Sequence, residues 1–280
     1  MYSAVTNRFH DITGIRLGPD KRHLVEGRLR RLFPGSEVLL DAAAYQLLDP
    51  AQPNSLATLV DALVTNETHF FREPQHFEFL AGRLANHPGR SFRVWSAACS
   101  SGEEVYTLAM VLANRWPLAS TAQATLNATG AERRSGPPVD WSVLGTDVSH
   151  TMVHRARRGV YPLSRATGIP PDGLRRFALK GEGASQGWLL MAPALRERVR
   201  FEVFNLNLPP SAQAPWPGPF DCVFLRNMLI YFDDEARTRI VRRVLDTLAP
   251  DGLLVTGHAE SLTGLGLPLR LLAPAVYALA

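Results

Sequence analysis

Polar and acidic side chains collect where β-prone runs of this 280-residue chain end. The run at 92–98 leads through Ala97-Ala98-Cys99-Ser100-Ser101-Gly102 straight into Glu103 and Glu104. Small side chains let a ligand lie against the backbone, and a glycine tolerates the tight turn such an approach needs. Paired carboxylates at a helix start would repel a diphosphate, which a helix N-terminus otherwise attracts. The dinucleotide fingerprint G-x-G-x-x-G is also absent. These residues turn away from nicotinamide and flavin cofactors toward a nucleoside without phosphate, whose hydroxyls or amine a carboxylate can bind. S-adenosylmethionine carries those groups: ribose hydroxyls, an ammonium and a sulfonium.

The run at 141–148 ends in Leu144-Gly145-Thr146-Asp147. An acid there can accept from ribose hydroxyls, or can cap the helix that follows. Glu103 alone reads more often as a first-turn helix acid, but beside Asp147 on an adjacent strand end it reads as ligand-binding. Asn205-Leu206-Asn207 and Arg226-Asn227-Met228-Leu229-Ile230-Tyr231-Phe232 follow two further runs. Amides at strand exits can read an adenine edge while Leu206 and Met228 pack its faces, although a lone Asn is also a turn former. The densest polar cluster is Thr65-Asn66-Glu67-Thr68-His69-Phe70-Phe71-Arg72-Glu73, in which Arg72 offers a permanent cation to a substrate anion. Cys99 and Cys222 are too few for a disulfide framework or a four-ligand zinc site, so they read as core residues and no metal is expected.

The elements that must hold these residues follow from periodicity. The first 65 residues read as helical, with Leu24, Val25, Leu29 and Leu32 on one side of a helix capped by Asp20 and stopped at Pro34-Gly35. Further helices are expected over 41–48 and 55–63. From about residue 90, strands at 92–98, 141–148, 220–225, 252–258 and 269–279 alternate with helices at 102–116, 149–158 and 233–248. The glycine-bearing stretch 180–191 reads as a hairpin paired with 199–204. Residues 117–140, with GAERRSGPP, read as an exposed loop. Such alternation predicts a doubly wound α/β sheet behind a helical cap. No apolar run approaches the roughly 18 residues of a membrane span and no secretory leader is evident, so a cytoplasmic protein without membrane insertion is expected. The formal charge is a mild +4, but Arg16, Lys21, Arg22, Arg28, Arg30 and Arg31 gather against only Asp20 and Glu26. That excess suits an acidic partner surface, or is simply a solvated face.

The strings NETHFFRE (66–73), RVWSAACSSGEEVYTLAMVL (93–112), LGTDVS (144–149), FDCVFLRNMLIYFD (220–233) and GHAESL (257–262) stand in an order that resembles the CheR-type chemotaxis receptor methyltransferases. LVEGRLRRL resembles that family's basic helix, so the likeness spans essentially the whole chain. It implies a Rossmann-like S-adenosylmethionine-dependent methyltransferase sheet with a small N-terminal all-helical domain (1–65), a linker contributing to the cofactor site (66–90) and a methyltransferase domain (91–280) with an inserted β-subdomain at about 175–205. It implies methyl transfer to glutamate side chains in the cytoplasmic helices of methyl-accepting chemoreceptors, giving γ-methyl esters. Cofactor contacts are thereby assigned to Asn66, Thr68, Arg72, Glu103, Asp147, Asn205, Leu206, Asn227 and Met228. Arg72 and Tyr231 are assigned to the reacting methyl group. Lys21, Arg28, Arg30 and Arg31 would meet the receptor, whose C-terminal peptide the β-subdomain grips in some members. A monomer is expected.

Other readings stay open at this point. One is a methyltransferase of RNA or of a small molecule; mild charge and the lack of an aromatic stacking stripe count against nucleic acid. Another is a scaffold that binds the cofactor without catalysis.

Overall fold

The structure, a computed structural model, describes residues 2–32, 47, 49, 54–87, 89–118, 139–209, 212–213 and 217–280. Among the described residues the chain opens with the helices α1 (Tyr2–Thr13), α2 (Arg22–Leu32) and α3 (Ser55–Leu63). Their apolar stripes meet in a core of Val5, Phe9, Val25, Leu29, Leu59, Val60 and Leu63. The face of α2 is narrower than its sequence suggests: Val25 and Leu29 are buried, whereas Leu24 and Leu32 stay partly exposed. Asp20 is not the cap. It sits in a 3-10 turn, Pro19–Lys21, that precedes α2 and pairs with Lys21 at 3.2 Å. The expected helix over 41–48, Leu47 apart, and most of the 117–140 loop lie outside the described residues.

Beyond them come α4 (Gln75–Ala85), β1 (Phe92–Ala97), α5 (Glu103–Arg115), β2 (Trp141–Asp147), α6 (His150–Arg158), β3 (Val160–Pro162), α7 (Pro171–Phe177), β4 (Ala178–Lys180), β5 (Trp188–Met191), α8 (Pro193–Arg196), β6 (Val199–Val203), β7 (Phe220–Leu225), α9 (Asp234–Leu245), β8 (Leu248–Thr256), β9 (Leu269–Ala273) and β10 (Val276–Leu279). Seven strands form one sheet in the order β6-β2-β1-β7-β8-β10-β9. The strands from β6 to β8 run parallel, and β10 is antiparallel to both β8 and β9. A parallel sheet must be covered on both faces, and β7 is buried at every residue. Side chains alternate along it: Cys222 and Phe224 pack with α4 and α5, Val223 and Leu225 with Ile240, Val241 and Val244 of α9.

Two pairings differ from the sequence reading. The segment 199–204 does not pair with the hairpin: β6 lies parallel to β2, with Val143 opposite Val199. A parallel neighbour is reached only through a crossover, and α6 with the following segments supplies it. The hairpin partner is β3, so a separate three-stranded sheet β3-β5-β4 spans 160–191 rather than 175–205. The single strand expected over 269–279 is a hairpin, because the chain turns at Pro274-Ala275, where Ala275 has φ 59°. Asp233 caps α9 as its position suggests, accepting from Ala236 N at 2.9 Å.

Candidate functional site

From β1 the chain order proceeds to β2 and β6 on one side, while β7 and β8 lie on the other, so strand order reverses between β1 and β7. Ligands of open α/β sheets bind in the crevice at the carboxyl ends of strands at such a reversal. Here the turn after β1 is unusual: Ala98, Ser100 and Gly102 have φ of 76°, 50° and 94°. Left-handed backbone suits Gly102 but is uncommon for residues with a Cβ, so at Ala98 and Ser100 the turn has to be held by its surroundings. At Gly102 a Cβ would stand 2.8 Å from that of Ala156, so only glycine fits.

Asp147, at the end of β2, supports this turn. Its Oδ2 accepts from Ser100 N at 2.8 Å and its Oδ1 from Ser149 N at 2.9 Å. Burial raises the Asp147 pKa, against the opposing pull of those N–H donors. The cap of α6 is Ser149, whose Oγ accepts from Met152 N. Asp147 thus serves the loop and helix start and still faces a cleft of about 370 Å³ between the helical unit and the sheet.

That cleft gathers most of the residues singled out in the sequence. Asn66, Thr68, Arg72, Asp147, Asn205, Leu206, Asn227, Met228 and Tyr231 all line it, with Leu17, Lys21 and Leu24 on the helical side. Segment 66–73 is fixed by its backbone. Asn66 O accepts from Ser100 Oγ, Thr68 O accepts from Arg165, and Phe71 N donates to Thr107 Oγ1. Phe70 is buried edge-on against Tyr161 with ring centroids 5.0 Å apart. Arg72 is tethered lightly, Nη1 to Glu67 O at 2.8 Å. The Asn205 amide is committed to the protein: Nδ2 donates to Ile12 O at 2.7 Å and ties α1 to the sheet.

Glu103 is the exception. Successive residues on a helix point about 100° apart, so only one of the paired acids can face the crevice. Glu103 is fully buried away from the cleft, accepting from Ser101 Oγ at 2.7 Å and pairing with Arg165 at 3.0 Å. Its pKa is raised by burial. The cleft receives Glu104 instead, which accepts from Ser96 Oγ at 2.7 Å. The placement of the two acids therefore corrects the choice of Glu103.

Along one wall of the cleft lies a network that the sequence reading missed. The Arg226 guanidinium, 1% exposed, bridges Glu104 at 2.9 Å and Glu73 at 3.0 Å, and also donates to the carbonyl of Arg72. It lies over the rings of Phe77 and Phe224. Glu73 Oε1 accepts from Asn227 Nδ2 at 3.2 Å. Although burial opposes it, the bonds from Asn227 and Arg226 hold the Glu73 pKa below its ordinary value. Burial, and then Arg226, push His76 down to about 4. Glu73, His76 and His258 bring ligand-type atoms within 4.8 Å of one another. A dication there would have to share the Glu73 carboxylate with Arg226. The signals for this network were single letters: the last residue of NETHFFRE, the second acid of GEE, and the Arg preceding Asn227. Their pairing, across more than a hundred residues of sequence, shows only in the fold.

On the basic helix, Arg30 and Arg31 are exposed. Arg28 is not free for a partner: its Nη1 donates to Leu63 O and Val64 O and its Nη2 to Thr65 Oγ1, closing the carboxyl end of α3.

The chain matches the family described as CheR methyltransferase, SAM binding domain, over residues 66–135 and 131–273. It is 36% identical to the chemotaxis protein methyltransferase of Salmonella typhimurium strain LT2, covering 95% of this chain and 85% of that protein. Its identity to the chemotaxis protein methyltransferase of Escherichia coli K12 is 35%, over 99% of this chain and 90% of that one. Chemotaxis protein methyltransferase 2 of Pseudomonas aeruginosa PAO1 is 35% identical, over 93% and 86%. By these matches, over nearly its whole length, this chain belongs to the CheR methyltransferase family.

Proposed function

We propose that this protein transfers the methyl group of S-adenosylmethionine to glutamate carboxylates on the cytoplasmic helices of chemoreceptors, forming γ-methyl esters. The observation that carries this reading is the convergence of Glu104, Asp147, Arg72 and Tyr231 on one cleft whose floor is a small-residue turn. The residues fit the group. Asp147 would hold ribose hydroxyls, Glu104 the amino-acid ammonium, and Leu206 and Met228 the faces of the adenine. Asn66, Thr68 and Asn227 supply polar edges beside them.

The cofactor supplies a methyl carbon on a sulfonium, a leaving group that departs neutral. The acceptor carboxyl ionises near about pH 4.3, so no residue of the chain has to remove a proton. What remains for the protein is alignment and the exclusion of water. Arg72, in the same cleft as Tyr231, would orient the acceptor carboxylate. Too tight a grip would blunt the nucleophile, and Arg72, fastened through one bond to a carbonyl, is free to turn toward it.

The exposed Arg30 and Arg31, with Lys21 at the cleft mouth, would dock an acidic receptor helix. The β3-β5-β4 sheet, with Leu179 and Trp188 exposed, would hold a receptor's C-terminal peptide. In this reading the protein is a cytoplasmic monomer that acts on protein and not on nucleic acid. Incubation with methyl-labelled S-adenosylmethionine and a receptor cytoplasmic fragment tests it. Label released as methanol by mild alkali is expected, since esters hydrolyse; alkali-stable label, or label on nucleic acid, would overturn it.

A further inference from the structure

The turn at 257–260, Gly-His-Ala-Glu, follows β8 and contributes no residue to the cleft wall. Its glutamate is nevertheless 1% exposed and aimed at the cleft loop. Glu260 Oε2 accepts from Asn227 N at 2.6 Å and from Gly257 N at 2.7 Å, and Oε1 accepts from Ile230 N at 3.3 Å. Two of these donors belong to the segment that carries Asn227, Met228 and Tyr231, the last at the end of a 3-10 turn, Leu229–Tyr231. Asn227 has φ 56°, left-handed backbone that is uncommon outside glycine and that asparagine tolerates better than most residues.

Gly257 makes room for the same arrangement. A Cβ there would lie 2.7 Å from Asn227 Nδ2 and 2.7 Å from Glu260 Oε2. Its own φ is not left-handed, so the demand is for space and not for backbone freedom.

We infer that Glu260, seated against Gly257, is a positioning residue for methyl transfer: it clamps the backbone of the 227–231 loop and so sets Asn227 and Tyr231 in the cofactor cleft. The inference rests on the cofactor reading above. A carboxylate taking several backbone N–H groups is a strong, directional anchor. Removing it leaves buried donors unpaired, and the loop is then free to relax away from its left-handed turn.

The test is S-adenosylhomocysteine affinity by calorimetry and the thermal midpoint, for wild type, Glu260→Ala, Glu260→Gln and Gly257→Ala. Leu84→Ala, which truncates a buried side chain of α4 remote from the cleft wall, serves as the destabilised control. Glu260→Ala and Gly257→Ala are each expected to weaken binding by about tenfold or more. Glu260→Gln should recover to within roughly threefold, because its amide oxygen can still take the Asn227 and Gly257 N–H groups and its NH2 gives up only the long 3.3 Å bond from Ile230 N. Leu84→Ala should lose thermal stability with unchanged affinity. The inference is overturned by Glu260→Ala and Gly257→Ala binding within about twofold of wild type, or by Leu84→Ala losing as much affinity at equal loss of midpoint. It is equally overturned if folded Glu260→Gln binds no better than Glu260→Ala. Wild type that fails to bind S-adenosylhomocysteine would instead overturn the cofactor reading itself.

Discussion

Arg72 reaches the cleft with one hydrogen bond to a backbone carbonyl, whereas Arg226 on the same cleft is locked between two carboxylates. This contrast divides their roles. Arg72→Ala should lower turnover by about a hundredfold, the scale of a lost orienting contact, while S-adenosylhomocysteine affinity changes by less than about threefold in calorimetry. Equal losses in both would make Arg72 a cofactor residue only. The two adjacent glutamates make a sharper pair. Glu104→Gln weakens the hold on a buried guanidinium and on the ammonium, and is expected to reduce cofactor affinity by roughly tenfold or more. Glu103→Gln, buried against Ser101 and Arg165, should lower the thermal midpoint and leave affinity nearly intact. The sequence shows that an acid begins α5 but not which one faces the crevice, because rotation of the helix about its axis is set by packing of Val105, Leu108 and Leu112. Arg226 was invisible for another reason: a buried charge is recognised by its partners, and Glu104 and Glu73 come to it from other parts of the chain.

Elements carry their own predictions. Asp61, on α3, accepts from Ser149 Oγ at 2.6 Å and from Thr151 Oγ1 at 2.6 Å, joining the helical unit to the start of α6. Asp61→Ala should cost about 1–2 kcal/mol in urea unfolding, the scale of a lost cap. A loss within 0.5 kcal/mol, the range of an ordinary surface change, would deny that the junction matters. On α4, His76 is buried with its pKa near 4, against 6.5 when free. The unfolded chain takes up this proton as pH falls below 6.5 and the folded chain does not until about 4, so stability drops on acidification. The window implies about 3 kcal/mol lost between pH 6.5 and 4 through this residue. His76→Gln should flatten the profile by that amount relative to wild type; parallel profiles would contradict it. Strand and helix positions were largely legible from periodicity, and Asp233 was placed correctly as a helix start. The pairing of β6 with β2 was not, since a short β-prone run looks the same whether its neighbour is a hairpin arm or a strand reached by crossover.

At the scale of the whole molecule, the cleft exists because two units meet. Asn205 binds Ile12, Arg16 pairs with Asp233 at 3.1 Å, and Asp61 reaches α6. The basic end of α2 lies outside these ties, so charge reversal at Arg30 and Arg31 should slow receptor methylation several-fold at low salt and less at high salt. Cofactor affinity should not move. Unchanged rates at low ionic strength would remove α2 from docking. Arg28→Glu should act differently, destabilising the helical unit whose α3 terminus it closes. The most direct test of the account is a crystal structure with S-adenosylhomocysteine. Its ribose should lie at Asp147, its amino group at Glu104 and its sulfur should face Arg72 and Tyr231. The product seated outside this cleft, or Arg72 turned to solvent with the cleft filled, would contradict it.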